Sequence, residues 1–256
     1  MAAHVPAEVT VTVTASPKHG LEPTLRVAEA IARAGHRVSP HVSARLVRDR
    51  AHLAEIMARL DAAGVHDVFV VAGDVQQPCG AFAGSADLLA AMEELGRRPA
   101  EVGITGYPES HQLISDEETI QAMFAKEPLA SYIVSQICFD PETIATWVAR
   151  VRARGTQLPI LVGLPGPVDQ RKLLRISTRI GVGQSVRFLR SHGSWLRHLL
   201  RPGRFRPERL LEQLGPHLGD AAAAGVTGVH LYTFNDLAQT ERWRREMLER
   251  LAAPAR

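Results

Sequence analysis

Apolar residues fall along this chain in two alternating patterns. Short runs with little or no polar interruption alternate with longer stretches in which apolar residues recur every three or four positions. The first pattern reads as buried strands and the second as amphipathic helices. Strands are predicted at Val9 to Thr14, Arg37 to His41, Val68 to Val71, Val102 to Thr105, Ile133 to Gln136, Ile160 to Gly163 and Gly228 to Tyr232. Helices are predicted at Leu25 to Gly35, His52 to Gly64, Asp87 to Gly96, Glu117 to Lys126, Pro141 to Gly155 and Arg209 to Gly225, with a closing helix from Leu237 to Leu251. Several of these helical patterns end in Gly, which suits a helix C-cap, while Asp49 and Asp140-Pro141 are helix-start signals.

A strand-helix repeat of this length is compatible with two α/β architectures, a (β/α)8 TIM-type barrel or an open doubly wound sheet. The polar residues favour the barrel. Thr14, His41, Asp74, Tyr107, Gln136, Pro165 and Tyr232 all fall at or just after strand C-termini, as a barrel's active rim requires. No Gly-x-Gly-x-x-Gly follows the first strand, which weakens a dinucleotide-binding Rossmann reading. Only seven strands are found, so either the barrel is missing its first strand or the segment Ile180 to Val182 supplies a short late one. No linker or low-complexity stretch divides the chain, and residues 1–256 are read as a single domain.

Composition narrows the classes. With 256 residues and 45% hydrophobic content the chain can fill a large core, and disorder is not expected. A balance of 30 Lys and Arg against 27 Asp and Glu leaves only +3, a weak argument for nucleic acid as partner. Cys79 and Cys138 are far apart with no C-x-x-C spacing, which points away from zinc ribbons and disulfide frameworks and towards a reducing cytoplasm. The N-terminus has no basic or apolar leader pattern, and no run approaches the ~18 apolar residues of a membrane span.

Chemistry-bearing groups gather at the strand ends. In Gly106 to His111, GYPESH, an aromatic hydroxyl, a carboxylate and an imidazole follow a buried run, where a plain turn would use small polar residues. In VVAGDV, Asp74 could accept hydrogen bonds from a heterocycle or serve as a local cap. His41 reads as a satisfied core or supporting histidine ahead of a ligand contact, as any single His does. Gln136 offers a donor and an acceptor suited to an amide edge, and Tyr232 with Asn235 closes the last strand either as ligand wall or as packing. The segment Arg187 to Arg209 carries seven arginines with Phe188, Trp195 and Phe205 among them. It reads as a helix facing solvent or a second copy of the chain in a homo-oligomer, as an anion site, or as a single-stranded nucleic-acid surface, in that order. The eleven histidines are scattered without H-x-x-x-H or H-E-x-x-H spacing, so no metal site is predicted, and no G-x-S-x-G marks a hydrolase.

Taken in order, VTVTASP, SPHVSAR, VVAGD, GYPESH, Lys126, VSQICFD, VGLPGP and HLYTFN resemble the methylenetetrahydrofolate reductase family, flavin-dependent (β/α)8 barrels that reduce methylenetetrahydrofolate to methyltetrahydrofolate. The resemblance implies FAD as cofactor and NAD(P)H as co-substrate, with hydride relayed in two steps to a folate substrate. It implies that Thr14, His41, Tyr107, His111 and Lys126 contact FAD, and that Asp74 lies beside the flavin ring and the pterin in a catalytic role. Gln136 would hold the pterin, and Phe188 and Tyr232 would complete the substrate side. Two departures stand out. The family's first strand ends in Glu-Phe-Phe-Pro-Pro, whose Glu is its general acid. The resemblance begins after that strand; Glu8 does not match it, and Glu109 is the available substitute. The Arg that the family carries before Gly-Asp is Ala72 here. These departures keep two further readings in view: a catalytically impaired flavin- or folate-binding homologue acting as partner or sensor, and a flavin-free enzyme passing hydride directly to a pterin.

Overall fold

The structure, a computed structural model, describes residues 4–109, 116–169, 172, 204–205 and 207–252. Its elements in chain order are β1 (Val11–Val13), α1 (Glu22–Arg33), β2 (Val38–Ser43), α2 (Arg50–Ala62), β3 (Asp67–Val71), α3 (Ser85–Glu94), β4 (Glu101–Gly106), α4 (Asp116–Lys126), β5 (Tyr132–Ser135), α5 (Pro141–Ala153), β6 (Ile160–Pro165), β7 (Val168–Asp169), β8 (Arg204–Phe205), α6 (Glu208–Leu218), β9 (Val226–Tyr232) and α7 (Leu237–Ala252). The main sheet runs in the order β1-β2-β3-β4-β5-β6-β9, and β7 pairs with β8 in a separate antiparallel ribbon. Sequential parallel strands joined by helices are the connectivity of a TIM-type α/β barrel, here with seven strands in the main sheet among the described residues. These are the seven that the apolar runs predict, with no end shifted by more than two residues.

The chain divides into two compact units. The first comprises Ala2–Thr105 and Gln121–Ile133. Within it β1, β2, β3 and β4 pair in parallel, with Val11 opposite Val38, His41 opposite Phe69 and Phe69 opposite Gly103. Strand alternation then sorts the side chains. Val38, Val42, Val68, Val70, Val102 and Ile104 are buried on one face, with Leu25, Ala28 and Ile31 of α1 and Leu53, Ile56 and Leu60 of α2 supplying helix core. The opposite face carries Ser39, His41, Ser43, Asp67 and Phe69. His41 therefore sits inside β2, which continues to Ser43, and not at the strand end that the sequence suggests. A polar residue on this face does not interrupt the strand.

The second unit comprises Gly106–Ile120 and Val134–Arg256. β6 pairs with β9 in parallel from Leu161 opposite Gly228 to Pro165 opposite Tyr232, after a register shift at Ile160/Leu161. α5 buries Ile144, Trp147, Val148 and Val151, and each large side chain so buried contributes on the order of 2 kcal/mol. The helix-start signals are real: Asp140 accepts from the Glu142 N–H at 3.2 Å, as Asp49 in the first unit accepts from the His52 N–H at 2.8 Å. Arg152 fixes the approach to β9 by donating to the carbonyls of Thr156, Leu158, Ala224 and Gly225 at 2.7–3.0 Å. The helix predicted over Arg209 to Gly225 ends at Leu218, where Gly219 takes φ +62 and leads into turns. The Arg-rich segment is described only at 204–205, a short strand instead of a helix, and from residue 207 onward. The late strand considered at Ile180 to Val182 lies outside the described residues.

Candidate functional site

In the first unit, Thr14 follows β1 directly and is exposed, and its carbonyl accepts from Thr24 Oγ1 of α1 at 3.2 Å. The His41 ring packs on Phe69 with centroids 4.9 Å apart at 37°. Asp74 lies exposed in the loop after β3. The backbone turns there through Gly73 at φ +95, and a Cβ at Gly73 would collide with Ser43 Oγ, so only glycine lets this loop lie on β2. Lys126 ends α4 at 7% exposure. Desolvation alone pushes its amine down to about 8; no carboxylate contributes. Among the described residues no counter-charge offsets this buried cation.

Below these residues, at the N-terminal ends of the strands, is a hydrogen-bonded cluster. Tyr132 Oη donates to Asp67 Oδ1 at 2.8 Å and Ser39 Oγ donates to the same oxygen at 3.0 Å. Burial raises the Asp67 carboxyl, with the two hydroxyl donors working against it. Burial, followed by the Asp67 charge, raises the Tyr132 phenol. The cluster satisfies buried polar groups at the closed end of the strands and lies away from the rim. The sequence gives no hint of it, since its members come from three strands.

In the second unit, Tyr107 follows β4 and is half-buried. Gln136 follows β5, where its N–H donates to the Gly106 carbonyl at 2.7 Å and its Oε1 accepts from the Ile137 N–H at 3.0 Å. That second bond fixes the orientation of the amide, whose Nε2 carries two N–H donors. Tyr232 ends β9, donating from Oη to the Ser135 carbonyl at 3.1 Å, with His230 edge-on to its ring at 4.8 Å. Desolvation holds the Tyr232 phenol up, with Tyr107 adding to the effect, and pushes the His230 imidazole down to about 4, so both are neutral at physiological pH. Neighbouring Cys138 is buried; its thiol is pushed well up by burial and then by the Glu109 carboxylate. Cys79 is the exposed thiol. His111 and Phe188 lie outside the described residues.

Gly163 decides whether Tyr232 can take this position. A Cβ there would collide with the Ser135 carbonyl oxygen and come within 2.8 Å of the Tyr232 ring. Gly163→Ala is expected to destabilise the fold by about 3 kcal/mol, read as a fall in the urea midpoint at unchanged slope. A midpoint within error of the parent would mean that the tyrosine is not held against β6.

Among the described residues no group of three or more His, Cys, Asp or Glu could hold a metal ion. No helix among them is long and apolar enough to cross a membrane. The family model described as methylenetetrahydrofolate reductase matches residues 1–186. The chain is similar to methylenetetrahydrofolate reductase 1 of Schizosaccharomyces pombe, 28% identical over 136 residues, covering 52% of this chain and 22% of that protein. It is also similar to methylenetetrahydrofolate reductase 2 of Saccharomyces cerevisiae, 26% identical over 89 residues, covering 33% of this chain and 15% of that protein. The match thus spans about a fifth of the length of these relatives.

Proposed function

Because the chain belongs to the methylenetetrahydrofolate reductase family, we propose that it uses FAD and NAD(P)H to reduce 5,10-methylenetetrahydrofolate to 5-methyltetrahydrofolate, within one-carbon and methionine metabolism. The observation that carries the cofactor half of this reading is Lys126, a buried amine whose lowered pKa has burial as its sole cause. Such a group gains an electrostatic partner when a diphosphate arrives. FAD, when bound, supplies the hydride relay between NAD(P)H and the folate.

The remaining roles belong to the chain's own groups. Thr14, His41, Tyr107 and His111 are the other residues that the family resemblance assigns to the cofactor. Asp74 orients the reacting heterocycles and holds negative charge close to the reacting centre. Gln136 donates through Nε2 to an acceptor on the pterin edge, its amide held in orientation by Ile137. Tyr232 and Phe188 wall the substrate. The neutral His230 keeps the β9 wall uncharged, which suits a heteroaromatic ligand. Two well-separated cysteines fit a cytoplasmic enzyme, and the chemistry calls for neither metal nor nucleic acid.

A second reading is hydride transfer from NAD(P)H to the pterin without flavin, favoured by Ala72 where the family carries Arg. The visible spectrum of the purified chain, after incubation with FAD and removal of free cofactor, separates the two. A retained flavin spectrum is expected. A colourless protein that still forms methyltetrahydrofolate from NAD(P)H would establish the second reading, and one that binds neither flavin nor folate would reject both.

A further inference from the structure

Residues 72–83 form a long loop between β3 and α3, and Asp74 stands in its first arm. The loop has no regular structure of its own, yet it is tied throughout to the end of β2. The Ala72 carbonyl accepts from the Arg45 N–H at 3.0 Å and from Ser43 Oγ at 3.3 Å. The Arg45 carbonyl accepts from the Cys79 N–H at 3.0 Å, and the Arg48 carbonyl from the Ala81 N–H at 3.1 Å. The Arg45 guanidinium then bridges both arms, with Nη1 donating to the Val75 carbonyl at 3.2 Å and Nε to the Ala83 carbonyl at 2.9 Å. Past Ala83, the Ala83 and Gly84 N–H groups donate to Asp87 of α3 at 3.1 and 3.0 Å.

The Val75 carbonyl belongs to the peptide that follows Val75, so one end of the guanidinium fork holds the chain one residue beyond Asp74 and limits how far the carboxylate's backbone can swing. The other end grips the anchored far arm. A planar fork holds two carbonyls in fixed relation at little entropic cost, which a single ammonium on a flexible stem does not. Exposed loops are otherwise where conformations multiply, and a catalytic carboxylate displaced by about 1 Å loses on the order of 10² in rate.

We infer that Arg45 is the positioning residue for Asp74: it clamps the 72–83 loop so that this carboxylate is presented in one orientation at the rim. The inference rests on the catalytic role proposed for Asp74, and its test separates the two. In one arm, turnover of methylenetetrahydrofolate is measured for Arg45→Lys, Asp74→Asn and the double variant, with the melting temperature followed in each. Arg45→Lys should lose about 10- to 100-fold in kcat with little change in KM, and the double variant should be no slower than Asp74→Asn alone. Losses that multiply in the double variant would overturn the inference, because Arg45 would then act independently of Asp74. In the other arm, amide hydrogen exchange across 72–83 needs no activity. Arg45→Lys should speed exchange there about tenfold while α2 and α3 keep the parent's protection. An unchanged loop would overturn the clamp. A parent protein inactive on methylenetetrahydrofolate, with the loop still loosened in the variant, would overturn the reductase reading and leave the clamp standing.

Discussion

Asp74→Asn is expected to lower turnover of methylenetetrahydrofolate by about 10² to 10³-fold while the melting temperature stays within about one degree of the parent. The two halves of this expectation have different causes. Asp74 is exposed and outside every helix and strand, and among the described residues its side chain makes no hydrogen bond that supports the loop, which is held by Arg45, Ser43 and Arg48. Exposed substitutions of this kind cost within about 0.5 kcal/mol of stability. The amide is isosteric, so Gly73 and the turn are undisturbed. What it removes is a negative charge and a proton acceptor at the strand-end rim, and groups acting on protons or developing charge supply about 10² to 10⁴ in rate. Steady-state kinetics with a thermal melt on the same preparation check both halves. Full activity in Asp74→Asn would remove Asp74 from the chemistry.

Lys126→Met should make the ligand-free protein more stable and the cofactor complex weaker. The amine, ordinarily near 10.5, is held at about 8 in the folded chain by burial. Between about pH 8 and 10.5 the unfolded chain still carries a proton that the folded chain has released, so stability rises with pH through that window. Below pH 8 both states are charged and the full cost stands, about 3 kcal/mol at about 1.36 kcal/mol per pK unit. Methionine keeps the length and the apolar stem without the charge. At pH 7 the variant is therefore expected to unfold at higher urea, by up to about 3 kcal/mol, and its stability should no longer climb between pH 8 and 10.5. On the proposed pairing of this ammonium with the cofactor diphosphate, FAD affinity should fall about 10- to 100-fold. A variant less stable than the parent at pH 7 without ligand would mean that Lys126 is engaged by the fold itself.

The sequence marks the sheet well because of how its strands are buried. Parallel strands covered on both faces read as near-continuous apolar runs, and Val68 to Val71 and Val102 to Thr105 are almost entirely that. The same reasoning misplaces His41. A polar residue after Pro40 looks like the end of a strand, but the inner face of β2 accepts Ser39, His41 and Ser43 in alternation. The Ala-rich run before β9 has helical composition, yet it is cut off by the backbone reversal at Gly219. Of the candidate site, the strand-end positions of Asp74, Tyr107, Gln136 and Tyr232 were legible, because such residues stand out once the strands are placed. Arg45 was not. Its partners are backbone carbonyls 30 and 38 residues downstream, and backbone acceptors leave no mark in the amino-acid sequence. The Ser39–Asp67–Tyr132 cluster was hidden for a related reason, since its members meet only through strand register.

In the proposed reaction hydride passes from NAD(P)H to a folate by way of bound flavin. Its most direct test is anaerobic stopped-flow mixing of the FAD-loaded chain, first with NAD(P)H and then with methylenetetrahydrofolate. The flavin absorbance should be bleached by the first and restored by the second, both at rates no slower than overall turnover. Methyltetrahydrofolate should form in an amount equal to the flavin reoxidised. Methyltetrahydrofolate formed at the same rate by flavin-free protein, or a flavin that neither substrate reduces or reoxidises, would contradict this route.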